Sequence, residues 1–259
     1  MRSTEKKTKS SKTAIEVINI SRDYGTGRGL FNVSINVQWN EVVSVIGTNG
    51  AGKTTLLRCI SLFETIDSGF IRLDNENWAN ADNKPVNDFF SGSIMGSFLG
   101  IVFQNYALWP HFNVWQNVSL PLKIAQGLEL DKISEMTEGI LKEFEIFDYK
   151  TSMPHELSGG LKQRTMLART LALQPKVLLL DEVTSGLDPE WTERVRCMIR
   201  EFAKNGGAVL NVGHQLGFVQ RLSDRVIFLN SGQVECAGAP CDMLINPKSD
   251  KLKIFIENA

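Results

Sequence analysis

Val42-Val43-Ser44-Val45-Ile46 runs into Gly47-Thr48-Asn49-Gly50-Ala51-Gly52-Lys53-Thr54-Thr55 and then Leu56-Leu57, an apolar strand that ends in a glycine-rich turn and opens into a helix. Such a turn is a cradle for phosphate. Its glycines permit backbone angles closed to other residues and let the chain approach an anion, so that successive N–H groups point at the anion's oxygens. The helix that follows adds its positive N-terminal end. Lys53 is placed to reach the terminal phosphates of a nucleoside triphosphate, and the Thr54 hydroxyl to ligate the magnesium such a nucleotide carries. The spacing meets the Walker A pattern in full.

Upstream, Ile15 to Ile20 and then Phe31, Val33, Ile35 and Val37 alternate with polar residues, on either side of the turn-rich Asp23-Tyr24-Gly25-Thr26-Gly27-Arg28-Gly29. This pattern predicts two half-buried antiparallel strands. Tyr24, in the loop between them, is either a surface aromatic or a platform on which a base stacks. Downstream, Ile71-Arg72-Leu73 reads as a short strand and Asp74 to Gly100, rich in Asn, Asp, Ser and Gly, as a loop. Ile101-Val102-Phe103-Gln104 is a brief apolar strand with a polar end, followed by the aromatic group Tyr106, Trp109, Phe112 and Trp115.

From Leu130 to Phe147 the apolar positions follow a helical period, and Ser158-Gly159-Gly160 opens another helix that stops at Pro175, giving a helical insert. Three further strands follow: Val177 to Leu180, ending at Asp181-Glu182; Ala208 to Val212, ending at Gly213-His214; and Arg225 to Leu229. The continuous apolar runs suit strands buried on both faces. Alternating strands and helices imply an α/β fold with a mostly parallel sheet, whose ligand sits at the carboxyl ends of the strands.

Those ends carry Gly47, Asp181-Glu182 and His214, and their convergence is the functional argument. Phosphoryl transfer to water needs a cradle, a metal, a group that orients the attacking water, and hydrogen-bonding groups on the γ-phosphate. Asp181 suits magnesium, a hard cation that prefers carboxylate oxygen. Glu182, one residue on and turned to another side, suits a general base. His214 either bonds the γ-phosphate or orients Glu182, or else is a strand-end histidine bonded to backbone; Gln104 reads equally as a polar strand end.

Composition narrows the class. The chain has 259 residues, 42% of them hydrophobic, enough for one large domain with a subdomain. No run of about 18 apolar residues occurs, and Met1 to Lys12 is too polar for a signal peptide, so the expected location is the cytoplasm. Cys59, Cys197, Cys236 and Cys241 are scattered without a Cys-x-x-Cys pair, as reduced thiols would be. A net charge of −1 offers no bulk attraction to nucleic acid. The basic residues Arg2, Lys6, Lys7, Lys9 and Lys12 lie in an N-terminal stretch, residues 1–13, expected to be a disordered tail.

With these residues assembled, the chain resembles the ATP-binding subunits of ABC transporters. Leu157-Ser158-Gly159-Gly160-Leu161-Lys162-Gln163-Arg164 looks like the signature motif and lies between the Walker A match and the strand Val177 to Leu180 with Asp181-Glu182, which looks like Walker B. Gln104 falls at the Q-loop position, Ser185-Gly186-Leu187-Asp188 at the D-loop and His214 at the H-loop. The resemblance implies a P-loop NTPase core of RecA type (residues 14–104 and 162–259), an N-terminal antiparallel β subdomain and an inserted helical subdomain (105–161). It implies ATP and Mg2+ as ligands. Tyr24 would stack on adenine; Gly47 to Thr55 would hold the phosphates; Thr54, Gln104 and Asp181 would serve the metal; and Glu182 with His214 would carry the hydrolysis. Ser158, Gly159, Gly160 and Asp188 would meet nucleotide across a head-to-tail dimer, expected to be a homodimer.

The resemblance further implies separate membrane permease subunits, a peripheral place on the cytoplasmic face of the membrane, and no nucleic acid partner. It is nearest to importers of polar amino acids, on Val102 to His111, Val226 to Leu229 and the ending Asn246-Pro247-Lys248-Ser249-Asp250 to Phe255. The alternative is a soluble ABC ATPase that switches a non-membrane partner. Leu161, Val183, Gly186 and the run Gly213-His214-Gln215 depart from the commoner family residues, and none of these changes removes a catalytic group.

Overall fold

The computed structural model describes residues 13–25, 27–81, 98–126 and 128–258. The expected N-terminal tail lies almost wholly outside them, as does most of the Asp74 to Gly100 segment. Strands β1 (Thr13–Asp23) and β2 (Gly29–Gln38) pair antiparallel, and β3 (Val42–Ile46) leads through the phosphate-type loop into α1 (Lys53–Ile60). β4 (Ser68–Leu73) and β5 (Glu76–Asn80) complete a four-stranded antiparallel sheet in the order β2-β1-β4-β5.

After β6 (Leu99–Val102) come three helices, α2 (Val114–Gln126), α3 (Leu130–Glu143) and α4 (Gly159–Ala172). The chain continues through β7 (Val177–Asp181), α5 (Pro189–Lys204), β8 (Ala208–Val212), α6 (Leu216–Leu222), β9 (Arg225–Asn230) and β10 (Gln233–Gly238). Two short helices, α7 (Pro240–Leu244) and α8 (Asp250–Glu257), close it. The second sheet runs β10-β9-β3-β8-β7-β6, with every pair parallel except β10 on β9.

The central strands β3, β7 and β8 are buried at every position, as apolar runs covered on both faces must be. One face packs Val43, Val45, Leu179, Leu210 and Val212 against α1 and the antiparallel sheet. The other packs Val42, Leu178, Leu180 and Val209 against α2, α4 and α5. Alternation of side chains along each strand divides the two cores.

Two hairpins and a helix go beyond the sequence-based expectation. The segment from Asp74, expected to be a loop, begins with β5. Asp74 and Asn75 take φ of 50° and 65° between the paired residues Leu73 and Glu76. Positive φ at both central residues is the two-residue hairpin whose twist matches its strands. β5 has a polar composition, and it is held by Trp78, buried with its indole Nε1–H donating to Ile60 O at 2.7 Å. Ser231 and Gly232 make the same kind of turn into β10. Helix α2 starts where Asn113 and Gln116 bond reciprocally, side chain to backbone N–H, at 2.8 and 3.0 Å, and it buries Val114, Val118 and Leu122 at four-residue spacing.

Candidate active site

The order β3-β8-β7-β6 places the loop after β3, the Asp181-Glu182 end of β7, the His214 end of β8 and the Gln104 end of β6 along one edge of the parallel sheet. A cleft of about 340 Å³ opens there, bounded by Tyr24, Asn49, Gly50, Lys53, Thr54, Gln104, Asp181 and Glu182 among others.

The loop is shaped for close approach. A Cβ at Gly47 would stand 2.1 Å from the Leu229 carbonyl oxygen, and Gly52, which caps α1 with φ of 99°, would bring one to 2.8 Å from Gly29 O. Side chains at either position would force the cradle apart. Thr48 O accepts from Ala51 N at 3.1 Å, which tightens the turn, and Ala51 is buried beneath it. Lys53 curls over the loop, its Nζ donating to Gly47 O at 2.8 Å and to Thr48 O at 2.9 Å. Burial lowers its pKa, opposed by the nearby charges of Glu182 and Asp181.

Asp181 is buried, and burial raises its carboxyl above the usual range while a hydrogen bond from Thr54 pulls the other way. Glu182 then turns the chain with φ of 51°. Both of its carboxylate oxygens are held: Oε2 accepts from Gln104 Nε2 at 2.7 Å, and Oε1 lies 3.0 Å from His214 Nδ1. Three adjacent strands therefore contribute one side chain each to a single carboxylate-centred cluster. Of the readings open for His214, the structure shows the contact to Glu182; Gln104 makes a contact to Glu182 that was not expected of it from the sequence.

Tyr24 borders the cleft half-exposed, its hydroxyl donating to Glu64 Oε2 at 3.2 Å and its ring 5.1 Å from the Arg22 guanidinium. Arg28 also borders the cleft, a cation that reading by motif passed over. Its only sequence signal is its place in the loop after Tyr24.

Ser158, Gly159, Gly160 and Asp188 do not line this cleft. Ser158 Oγ caps α4 by accepting from Leu161 N at 3.3 Å, and Asp188 Oδ1 caps α5 by accepting from Trp191 N at 2.8 Å. The two glycines abut the turn before α5, with Gly186 O only 3.1 Å from where a Gly160 Cβ would stand.

The donor set fits a nucleotide with its magnesium. Among the described residues no group of three or more His, Cys, Asp or Glu forms a cage for a metal ion. One buried carboxylate beside one hydroxyl is what a cation needs when it keeps water and takes its other oxygens from phosphate.

Residues 30–185 match the family model described as ABC transporter. The chain belongs to the ABC transporter family. This ABC chain is 35% identical to the glutamine transport ATP-binding protein GlnQ of Geobacillus stearothermophilus, over 92% of its own length and 95% of the relative's. It is also 35% identical to the arginine/ornithine transport ATP-binding protein AotP of Pseudomonas aeruginosa, over 95% and 98%. Among solved structures it is similar to the ATP-binding cassette MJ0796, described as a dimeric post-hydrolysis state bound to ADP and Pi. That likeness has a TM-score of 0.78 at 28% identity, covering 87% of this chain and 98% of that one. The ABC chain is an ATPase, with ATP as its substrate and Mg2+ as its cofactor. Among the described residues no helix is long and apolar enough to cross a membrane.

Proposed function

We propose that this chain is the ATP-hydrolysing subunit of an importer of polar amino acids, working as a head-to-tail homodimer on separate membrane permease subunits from the cytoplasmic face. The observation that carries the catalytic part is the Glu182 carboxylate, held by Gln104 and His214 beside the Thr54–Asp181 pair and Lys53. Amino-acid import is supported by the relatives, which are glutamine and arginine/ornithine transport ATP-binding proteins.

Lys53 serves the terminal phosphates. Turning its ammonium from the Gly47 and Thr48 carbonyls to phosphate exchanges neutral acceptors for anionic ones, a stronger charge-assisted pairing. Thr54, Asp181 and Gln104 would hold magnesium, which when bound would supply positive charge to the phosphate oxygens. Gly47 to Thr55 cradle the phosphates and Tyr24 carries the adenine. Glu182 is the base: water's oxygen bonds to Pγ, its proton goes to a Glu182 oxygen, and the Pγ–O bond to ADP breaks, leaving ADP and inorganic phosphate. His214 fixes Oε1, and withdrawal of the Gln104 amide frees Oε2 for that proton.

Ser158, Gly159, Gly160 and Asp188 stand outside their own chain's cleft, and this favours a role in the site of a second copy. The helix N-terminus at Ser158 offers backbone N–H groups to an anion. For the permease, Trp109 is the exposed member of the group Trp109, Phe112 and Trp115, at 37%, on a loop pinned by Asn117, whose amide donates to the Trp109 and Phe112 carbonyls. Trp115 packs into the helical core instead. The residue ranges 14–104 and 162–259 for the core and 105–161 for the helical part follow from the same reading.

The test is Glu182→Gln in the full chain. ATPase activity should fall by about 10²-fold or more while MgATP binding persists and an ATP-bound dimer accumulates. A multispanning membrane protein should accompany the tagged chain from solubilised membranes. Parent-like hydrolysis by the variant would remove Glu182 from the mechanism, and capture of soluble partners alone would remove the importer assignment.

A further inference from the structure

A second cavity, of about 170 Å³, lies beside the nucleotide cleft, and Glu182 borders both. Its wall comes from the turn after Glu182, the end of β8 and the start of α6. It is polar where it meets the sheet. Asn211 is 1% exposed, and its Nδ2 donates to Ser44 Oγ at 3.0 Å. Among the described residues the hydroxyls of Thr184 and Ser185, which also line the cavity, make no side-chain hydrogen bond. Polar groups that line a cavity without protein partners are satisfied by water, and each water needs only ~30 Å³ and two to four polar partners.

We propose that this cavity is a water chamber for the hydrolytic reaction, holding the solvent from which the attacking water reaches Glu182; this rests on Glu182 acting as the base. One further feature favours water over the product phosphate as its occupant. The wall contains the Glu182 carboxylate and His214 but no lysine or arginine, so it offers a phosphate anion little charge to hold it, while a neutral molecule needs none. The chamber is open at Gly213, where an added Cβ would meet only Asn211 Nδ2, at 3.8 Å. Space that a small residue leaves beside a general base is here space for its co-reactant.

The experiment fills the chamber in the full chain. Gly213→Val puts two methyl groups into it, Gly213→Ala one, and Thr184→Val removes a hydroxyl at nearly constant shape. The expected result is a kcat about tenfold lower for Gly213→Val, an intermediate value for Gly213→Ala, and MgATP affinity within about twofold of the parent for both. Thr184→Val should lower kcat severalfold with its pH profile unmoved, since the base itself is intact. Crystal structures should show ordered water against the Thr184 and Ser185 hydroxyls in the parent and none in Gly213→Val. A parent-like kcat in Gly213→Val overturns the proposal. So does a Gly213→Val structure with the Glu182–His214 contact broken when Thr184→Val hydrolyses at the parent rate, because displacement of the base then accounts for the loss. Glu182→Gln separates the two readings: if it hydrolyses normally, the assignment of the base has failed; if it is inactive while the filled variants are normal, the chamber alone has failed.

Discussion

Replacing Asp188 separates two roles that one side chain is asked to play. Its Oδ1 accepts from Trp191 N at 2.8 Å, and its carbonyl accepts from Thr192 N at 2.9 Å, so it closes the first turn of the 16-residue helix α5. Pro189 at the next position brings no N–H of its own, which leaves the Asp188 contact to Trp191 as the main side-chain satisfaction of that end. Trp191 is buried and stacks on Phe144, with ring centroids 6.2 Å apart, so the cap also seats a core aromatic. Asp188→Ala should therefore cost about 1 kcal/mol, the usual worth of a lost N-cap. For a chain of this size that lowers Tm by roughly 2–4 °C. Asp188→Asn keeps a side-chain oxygen for the Trp191 N–H and should lose only a few tenths of a kcal/mol. Thermal unfolding of both variants by circular dichroism, with ATPase assays on the same preparations, divides stability from function. If Asp188 also serves the site of a second copy, Asp188→Asn should lose ATPase activity while melting near the parent. An unchanged Tm in Asp188→Ala would refute the capping argument, and parent-like hydrolysis by Asp188→Asn would refute the role across the dimer.

Asp181→Asn should stabilise the protein in the absence of nucleotide while abolishing magnesium-dependent hydrolysis. Burial raises the Asp181 carboxyl above its ordinary value of 3.8, so the folded state holds a proton more tightly than the unfolded one. The ionised group is then a burden at neutral pH that fades as pH falls through the raised folded value towards 3.8. The Tm advantage of Asp181→Asn, measured across that range, should shrink on acidification; an advantage that grows would reverse the assigned sign. Trp78→Phe removes the buried donor to Ile60 O and leaves that carbonyl unsatisfied, at a cost of about 1–3 kcal/mol. Urea unfolding should show a lower midpoint at constant slope, and an unchanged midpoint would mean that the β5 hairpin is held by other contacts.

Much of this protein could be read along the chain because the signals are local. Continuous apolar runs identified β3, β7 and β8, and the glycine spacing after Ile46 identified a phosphate-type turn, since backbone freedom and strand burial are written in residue type. The polar strand β5 escaped such reading because Glu76 to Asn80 has no apolar alternation; a left-handed Asp74-Asn75 turn and one buried indole hold it. Helix α2 was hidden among aromatics whose burial depends on α3 and α4.

The order of motifs along the chain was enough to indicate family and chemistry. What only the tertiary structure decided is who touches whom. Gln104, Glu182 and His214 are far apart in sequence and meet because β6, β7 and β8 lie side by side, an arrangement made by strand pairing over long separations. The same pairing put Ser158 and Asp188 at helix starts away from their own cleft. It also opened a cavity behind Glu182 at a glycine whose neighbours in sequence give no hint of it. Residue type sets what each group can do, whereas distance between groups is a property of the folded sheet.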